Sequence, residues 1–429
     1  MTNIYPSTFQ KRIDDIYIGS CSLKELATTY GTPLYVLDEQ TIRNNCRVFT
    51  HILDEHYPNF TIAYASKAGL NLGIANIIAS ENCGVDVVSG GELHTALNSN
   101  ISTDRIYFHG NNKSIQELTL AIEHDIRIVI DNQFELSNIE QIASQLNKQA
   151  LIMFRIKPGI EAHTHEYIKT GHIDSKFGLT FEETMPLIET VHNSTWGTFT
   201  GVHAHIGSQI FEIQPYFDLV AILLDFIKQI KTTYDINTPE LNYGGGFGIQ
   251  YVDTDQAPDI SSIILNMANE TKLLCDSHSL ILPKLIFEPG RSIIANSGVT
   301  IYSAGATKVI PNVKNYLFVD GGMADNPRPI TYKAKHTFDV ISPKSPDFKL
   351  YTIAGKFCES GDILAENIKL PTVSPNDHIV VYGTGAYNYS MASNYNRSCK
   401  PAMVLVNNGQ HREIVRRESY NDIMRFDEL

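Results

Sequence analysis

Short apolar segments alternate with amphipathic segments between about residue 60 and residue 290, a pattern that few folds accommodate. The amphipathic segments, such as IQELTLAIEHD, carry apolar residues at helical spacing. The eight apolar segments are FTIAYASK (60–67), CGVDVVS (83–89), RIYFHG (105–110), IRIVID (126–131), ALIMFRI (150–156), TGVHAHIG (200–207), ELNYGGG (240–246) and KLIFEPG (284–290). Eight strands that alternate with helices predict an α/β fold, a (β/α)8 barrel of the TIM type.

The pattern changes from residue 299 onward, where strand-like segments follow one another with few helices between them. These segments are VTIYSAGATKVI, NYLFVDGG, KLYTIAG, HIVVYGTGA and AMVLVNNGQHREIVRR, and the last contains an Asn-Gly hairpin signal. We therefore predict a barrel domain over residues 36–295 and a C-terminal all-β domain over 296–429. Residues 1–35 are assigned to the β domain.

Charge and cysteine content exclude several classes of protein. The net charge of −13 opposes binding to nucleic acid or to anionic lipid. The six cysteines include no C-x-x-C pair, and the N-terminal segment MTNIYPSTFQKRIDD has no apolar core of a signal peptide. No apolar segment is long enough to span a membrane. We expect reduced thiols, a cytoplasmic location and no membrane association.

Polar residues and glycines collect at the C-terminal ends of the predicted strands. In a barrel of this type those ends form the active site. The residues there are Lys67, Ser89, His109, Asp131, Arg155, His205, the glycines 244–246, and Glu288 followed by Arg291.

Three successive glycines, Gly244, Gly245 and Gly246, follow the seventh strand, where such barrels commonly bind phosphate. Their backbone amides can surround an anion, and Ser208 can add a hydroxyl donor. A flexible turn is the alternative interpretation of the glycines.

A phosphate site combined with a lysine and a glutamate favours pyridoxal 5′-phosphate (PLP). The amine of Lys67 can bond to the PLP aldehyde, and Glu288 can keep the pyridine nitrogen protonated. His205 can stack on the ring. The alternatives are an exposed lysine at a strand end and a barrel histidine whose hydrogen bonds are satisfied.

Several motifs, in order along almost the whole chain, resemble those of the diaminopimelate decarboxylase family. They are LATTYGTPLYVLDE (26–39), YASKA (64–68), GVDVVSGGEL (84–93), IKPGIEAHTHEYIKTGHIDSKFGL (156–179), HIGSQI (205–210), GGGFGI (244–249), EPGR (288–291), CESGD (358–362), GAY (385–387), SMASNYN (390–396) and RRESY (416–420). The family consists of fold-type III PLP enzymes related to ornithine decarboxylase and, through the barrel, to alanine racemase.

The resemblance implies a role for each matching residue. Lys67 and His205 would bind PLP, Ser208 and the three glycines its phosphate, and Glu288 the pyridine nitrogen. Tyr387 would contact both the cofactor and the substrate. Arg291, which also belongs to the cofactor site, would hold the distal carboxylate of the substrate together with Arg328 and Tyr332. Cys358 and Glu359 would reach the site from the second subunit of a homodimer. Glu359 would meet the distal ammonium, and Cys358 would lie near the reacting carbon.

The reaction implied is decarboxylation of meso-2,6-diaminoheptanedioate (meso-diaminopimelate) to L-lysine and carbon dioxide, the last step of lysine biosynthesis. The catalytic residues would be Lys67 and Cys358, with Cys358 or a nearby water as the proton donor. Substrates without a distal carboxylate would leave Arg291 and Arg328 without an anion, which disfavours their binding.

Three other functions remain open from the sequence. One is decarboxylation of ornithine, arginine or carboxynorspermidine at a similar site. Another is a metal-dependent hydrolase that uses the H-x-H pair His203 and His205, or the histidines of HTHEYIKTGH, which are His163, His165 and His172. The third is a PLP-binding protein without turnover.

Overall fold

The structure is a computed structural model that describes residues 4–160 and 175–429. Within these ranges the strands are β1 (Gln10–Lys11), β2 (Ile16–Ile18), β3 (Cys21–Ser22), β4 (Leu34–Asp38), β5 (Phe60–Ala65), β6 (Gly84–Val87), β7 (Ile106–Phe108), β8 (Arg127–Ile130), β9 (Ala150–Arg155), β10 (Gly197–His203), β11 (Glu240–Asn242), β12 (Lys284–Phe287), β13 (Gly298–Ile310), β14 (Lys314–Val319), β15 (Phe338–Val340), β16 (Phe348–Ala354), β17 (Ile363–Pro371), β18 (His378–Tyr382), β19 (Ala402–Asn407) and β20 (Gln410–Val415). The α-helices are α1 (Leu23–Tyr30), α2 (Glu39–His56), α3 (Leu72–Ser80), α4 (Gly90–Leu97), α5 (Ile115–Glu123), α6 (Gln133–Leu146), α7 (Phe181–His192), α8 (Gln214–Tyr234), α9 (Ile260–Ser277), α10 (Arg291–Ile294), α11 (Arg328–Tyr332) and α12 (Tyr420–Met424).

The chain divides into two compact units. Among the described residues, the barrel unit comprises 45–160, 175–248 and 257–291, and the β unit comprises 4–44, 249–256 and 292–429. Within the described ranges, no helix combines the length and the apolar character needed to cross a membrane.

The barrel unit contains a closed parallel barrel in which β5 to β12 follow one another in chain order and β12 pairs with β5. Each of the eight apolar segments of the sequence contributes one of these strands, so the predicted (β/α)8 barrel is confirmed. Its strands are buried almost throughout, as expected for parallel strands covered by helices. The centre of the barrel is filled by five buried apolar side chains, namely Ala63, Tyr107, Val129, Met153 and Ile286.

Polar caps begin the helices that follow the first barrel strands. The side chain of Asn71 accepts the amide of Ile74 at the start of α3, and Ser114 forms a capping box with Glu117 at the start of α5. The side chain of Ser89 accepts the amide of Glu92 at the start of α4. These caps satisfy amides that have no partner within the helix and so stabilise the start of each helix.

The β unit is a mixed sheet with strand order β17-β16-β14-β13-β4-β19-β20, in which β18 pairs with both β13 and β15. All five strand segments predicted after residue 299 are present, and the last forms the β19–β20 hairpin. Its turn residues Asn408 and Gly409 both have positive φ, as a two-residue hairpin turn requires. Strands β15 and β17, and the N-terminal strands β1 to β4, were not predicted.

Strand β4 spans the predicted domain boundary between residues 35 and 36. It pairs antiparallel with β13 and parallel with β19, so its whole length belongs to the sheet of the β unit. All six cysteines are unpaired in the structure.

Candidate active site

Glu288 lies directly after β12 and is buried at the C-terminal end of the barrel. Its Oε1 accepts hydrogen bonds from His109 Nε2 at 2.7 Å and from Asn242 Nδ2 at 2.6 Å. Its Oε2 accepts one from His203 Nε2 at 3.1 Å. These donors come from the ends of three other strands, so one carboxylate joins the ends of four strands.

Burial and hydrogen bonding act in opposite directions on Glu288. Burial opposes its ionisation, but the attraction of His109 and the hydrogen bonds from His109 and His203 outweigh this effect and hold its pKa well below the usual range. Burial lowers the pKa of His203 to about 3, so this imidazole is neutral at pH 7. Glu288 is therefore an ionised carboxylate in a buried setting.

Lys67 lies in a single 3₁₀ turn (Ser66–Ala68) immediately after β5. Its Nζ is 4.0 Å from Oδ2 of Asp86, a buried residue on β6, and 42% of its side chain is exposed. Oδ1 of Asp86 lies 4.0 Å from His109 Nε2. Burial raises the pKa of Asp86, and the nearby Glu288 adds to this effect. Lys67 is thus linked to Glu288 through two intervening side chains.

The three glycines after β11 are required by close backbone packing. A Cβ at Gly244 would lie 2.6 Å from the carbonyl oxygen of Ala204, and one at Gly246 would lie 2.5 Å from that of Gly207. A Cβ at Gly245 would collide with the carbonyl oxygen of Glu288. Gly244 and Gly246 also have positive φ, which favours glycine. A flexible turn does not explain a segment packed this closely.

Two of the glycine amides already donate to side chains of the site. The amide of Gly244 donates to Asn242 Oδ1 at 2.9 Å, and that of Gly245 donates to His205 Nδ1 at 3.3 Å. Asn242 therefore connects the glycine turn to Glu288, because its Nδ2 donates to the carboxylate.

His205 lies two residues beyond the end of β10 and is half-buried. Burial of the imidazole and the positive charge of Lys67 lower the pKa of His205 well below the usual range. Nearby, the Ser208 hydroxyl accepts a hydrogen bond from Arg291 Nη2 at 3.0 Å. Arg291 is buried at the start of α10.

The other predicted site residues belong to the β unit, where they form two groups. In the first, the guanidinium of Arg328 lies 4.7 Å from the ring centroid of Tyr332 and 5.3 Å from that of Tyr387. Arg328 is 8% exposed, and Tyr387 has a φ of 59°, an uncommon value for a tyrosine. Backbone strain of this kind often accompanies function.

The second group is the exposed loop that carries Cys358 and Glu359. The amide of Cys358 donates to Asn396 Oδ1 at 3.0 Å, and the carboxylate of Glu359 accepts the amide of Gly361 at 3.3 Å. Both side chains are exposed, and hydrogen bonds from backbone amides stabilise the loop that carries them.

Three other strand-end residues have structural partners. Ser89 is the N-cap of α4, and Asp131 accepts the amide of Gly178 at 3.0 Å. The guanidinium of Arg155 lies 4.4 Å from the ring centroid of Phe177. Of these, Arg155 is electrostatically linked to Asp131, Glu288 and Asp86.

Of the histidines considered for a metal hydrolase, only the pair His203 and His205 lies among the described residues. His203 bonds to Glu288, whereas His163, His165 and His172 lie outside the described residues. Within the described ranges, the only His, Cys or carboxylate atoms close enough to surround an ion are those of His109, His203 and Glu288, all within 4.8 Å. Here both imidazoles donate to the carboxylate, so the group is satisfied by its own hydrogen bonds.

Asn242 and Asp86 were not identified from the sequence. Both lie inside strand segments that were recognised only as apolar, ELNYGGG and CGVDVVS. Both could have been recognised as polar residues inside an otherwise apolar barrel strand, because such a buried group needs a hydrogen-bond partner inside the barrel.

Comparisons with known proteins give similarities over nearly the whole chain. The family model of the pyridoxal-binding domain of pyridoxal-dependent decarboxylases matches residues 39–295. A diaminopimelate decarboxylase of Synechocystis sp. is 44% identical over 423 residues, which are 96% of this chain and 90% of the relative. One of Bacillus subtilis is 39% identical over 429 residues, with 99% and 98% coverage. The crystal structure of diaminopimelate decarboxylase from M. jannaschii in complex with L-lysine is 34% identical and superposes with a TM-score of 0.92, covering 99% of this chain and 98% of that one.

Proposed function

The chain belongs to the diaminopimelate decarboxylase family of pyridoxal-dependent enzymes, and on that premise we propose that it decarboxylates meso-diaminopimelate to L-lysine and carbon dioxide. The observation that carries the proposal is that an amine, Lys67, and an ionised buried carboxylate, Glu288, are linked in one barrel mouth through Asp86 and His109.

The barrel mouth fits PLP. It offers a lysine amine for the aldehyde, a carboxylate for the ring nitrogen, and a closely packed glycine turn beside a hydroxyl for the phosphate. When bound, PLP supplies an electron-accepting ring that stabilises negative charge on the substrate carbon after carbon dioxide leaves. Lys67 would hold the aldehyde, Glu288 the pyridine nitrogen, and Gly244–Gly246 with Ser208 the phosphate.

Three further residues would assist in binding the cofactor. The neutral imidazole of His205, held through its Nδ1 by the amide of Gly245, would lie on the ring face. Tyr387 of the β unit would contact the cofactor as its motif implies. Arg291 adds positive charge next to Ser208, which favours an anionic ligand at this point.

The distal end of the substrate determines selectivity in this proposal. Arg328, supported by the rings of Tyr332 and Tyr387, would bind the distal carboxylate together with Arg291. A guanidinium suits this task because its planar fork matches a carboxylate. Glu359 would bind the distal ammonium. An amino acid without the second carboxylate would leave a buried arginine without its anion, which costs binding energy.

We assign the return of the proton to Cys358 or to a water beside it. In this proposal Cys358 and Glu359 serve the barrel of the partner subunit in a homodimer. Their exposure on a loop of the β unit is compatible with this role, and the family resemblance supports it.

The experiment that tests the function is carbon dioxide release from meso-diaminopimelate by the purified, PLP-loaded protein. Ornithine, arginine and carboxynorspermidine are assayed alongside. Faster release from meso-diaminopimelate than from the other amino acids, together with loss of this activity in Lys67→Ala, would support both the cofactor and the substrate. Turnover of another of these amino acids instead would contradict the roles of Arg291, Arg328 and Glu359, but not that of Lys67.

A further inference from the structure

The carboxylate of Glu288 has nearly all of its hydrogen-bonding capacity filled by the protein. A carboxylate accepts about four hydrogen bonds, two at each oxygen. His109 and Asn242 fill both positions at Oε1, and His203 fills one at Oε2. Within the described ranges, one acceptor position therefore remains, at Oε2.

The protonation of His203 follows from its surroundings. Its Nδ1 is buried and has no hydrogen-bond partner among the residues that the structure describes, whereas its Nε2 contacts Glu288. An imidazolium would leave a buried N–H at Nδ1 without an acceptor, which is costly. His203 is therefore neutral with its proton on Nε2, and it stabilises Glu288 as a hydrogen-bond donor.

The orientation of Asn242 is fixed as well. Its Oδ1 accepts the amide of Gly244, so its Nδ2 must face Glu288. An amide cannot lose this donor by titration, in contrast to an imidazole. Asn242 thus fixes the position of the glycine turn relative to Glu288.

We propose that His109, His203 and Asn242 are positioning residues that keep Glu288 ionised and leave it a single acceptor site, aimed at the protonated ring nitrogen of PLP. We call these three residues the carboxylate clamp. The proposal rests on the proposed function for its cofactor, but it concerns a task that the sequence motifs assign to Glu288 alone.

Other charged groups near Glu288 do not replace the clamp. Asp86 raises the cost of a second negative charge, and Arg155 adds a positive charge without a hydrogen bond to the carboxylate. Loss of a clamp donor would leave an acceptor position of Glu288 buried and empty. The carboxylate would then take up a proton more readily and would be a poorer partner for a protonated ring nitrogen.

The test compares His109→Leu, which removes the donor, with His109→Gln, whose side-chain amide can still donate. His278→Gln, at a histidine next to Asp225 on the same unit, is the matched control. The readouts are the Kd of PLP for the apoprotein and the visible absorption spectrum of the loaded protein. We expect His109→Leu to weaken PLP binding at least about tenfold and to change the spectrum, and His109→Gln to restore most of both. The control should match the unaltered protein.

Equal PLP affinity and equal spectra in His109→Leu and the unaltered protein would overturn the proposal, and so would failure of His109→Gln to restore them.

A measurement without any variant is the nitrogen NMR spectrum of the histidine rings, in which His203 should be neutral with its proton on Nε2. A proton on Nδ1 would also overturn the clamp. Absence of PLP binding in the unaltered protein would refute the proposed function and the clamp together. Binding of PLP without turnover of meso-diaminopimelate would refute only the substrate.

Discussion

Glu288 and Asp325 are both buried carboxylates, yet their surroundings move their pKa values in opposite directions. Three side chains donate to Glu288, and its pKa falls. Asp325 of the β unit accepts from the Tyr302 hydroxyl and from the amide of Gly322, but burial dominates and raises its pKa to about 7. The number and kind of donors therefore decide whether a buried acid keeps its charge.

The raised pKa of Asp325 predicts a dependence of stability on pH. The folded state binds a proton up to a pH of about 7, whereas the unfolded acid loses it near the ordinary value of about 3.9. The contribution of Asp325 to stability is therefore full at low pH and is lost as the pH rises from about 4 to about 7. In the unaltered protein, Asp325 should lower the free energy of unfolding by about 2 to 3 kcal/mol between pH 5 and pH 8. This decrease should be absent in Asp325→Asn.

Denaturant unfolding at both pH values measures this difference. Asp347→Asn is the control, because Asp347 is exposed on the same unit. An Asp325→Asn protein whose free energy of unfolding falls with pH as steeply as that of the unaltered protein would contradict the assignment.

Arg328 offers a prediction about the substrate. Arg328→Ala removes the guanidinium proposed for the distal carboxylate, so kcat/KM for meso-diaminopimelate should fall on the order of 100-fold. The Kd of PLP should change little. Arg328→Lys keeps the charge but not the fork and should be intermediate. Steady-state kinetics and PLP titration measure the two effects, and an equal loss in both would count against this role.

At the scale of elements, the ends of the strands decide which residues enter the site. The sequence segments ELNYGGG and TGVHAHIG extend further than the strands, which end at Asn242 and His203. The glycine turn with its positive φ values cannot continue a parallel ladder. The turn and His205 consequently lie in loops, and the last strand residues are the ones that meet Glu288.

The loop of Cys358 and Glu359 is held by a buried acid, Asp362. Its Oδ1 accepts the amide of Met323 at 2.7 Å, and its Oδ2 accepts that of Phe357 at 2.9 Å. Asp362 is 2% exposed, so these two amides depend on it for their hydrogen bonds. One side chain thereby fixes the residue immediately before Cys358.

Asp362→Asn tests this arrangement. The new amide group would face a backbone N–H, which leaves one donor without an acceptor and costs about 1 to 3 kcal/mol locally. We expect slower turnover of meso-diaminopimelate, faster modification of Cys358 by a thiol reagent, and unchanged PLP affinity. Asp347→Asn again provides the control. Unchanged thiol reactivity together with unchanged turnover would show that the loop does not depend on Asp362.

At the scale of the whole molecule, the two units are built differently. The barrel joins strands that follow one another along the chain. The β unit joins distant segments, since β4 near the N-terminus pairs with β13 and β19. Its sheet can therefore form only after the C-terminal strands are available.

The proposed homodimer predicts that two inactive variants restore activity when mixed. Lys67→Ala disables a barrel, and Glu359→Ala disables the loop supplied to the partner. A mixed dimer has one site with both changes and one with neither, so free exchange of subunits should give about a quarter of the unaltered activity. Carbon dioxide release after mixing measures it.

Lys67→Ala mixed with His205→Ala is the matched control, because both changes lie in the barrel and no intact site results. Absence of recovery in the first mixture, with subunit exchange verified by mass, would place Glu359 at the site of its own chain.

The sequence by itself determined the barrel, the strand content of most of the β unit and the family. Strand periodicity and glycine turns are local properties, so the eight barrel strands and the hairpin at Asn408 and Gly409 follow from neighbouring residues. The short β15 and the polar β17 lack a clear apolar pattern, and only their pairing in the sheet makes them strands.

Only the tertiary structure decided which side chains act together. Asn242 and Asp86 look like interruptions of apolar strands in the sequence, and His109 has no evident partner there. Closing the barrel brings the ends of four strands to one point, and Glu288 then needs donors because it is buried. Those donors are 46 to 179 residues away in sequence, a distance at which no local pattern specifies a contact.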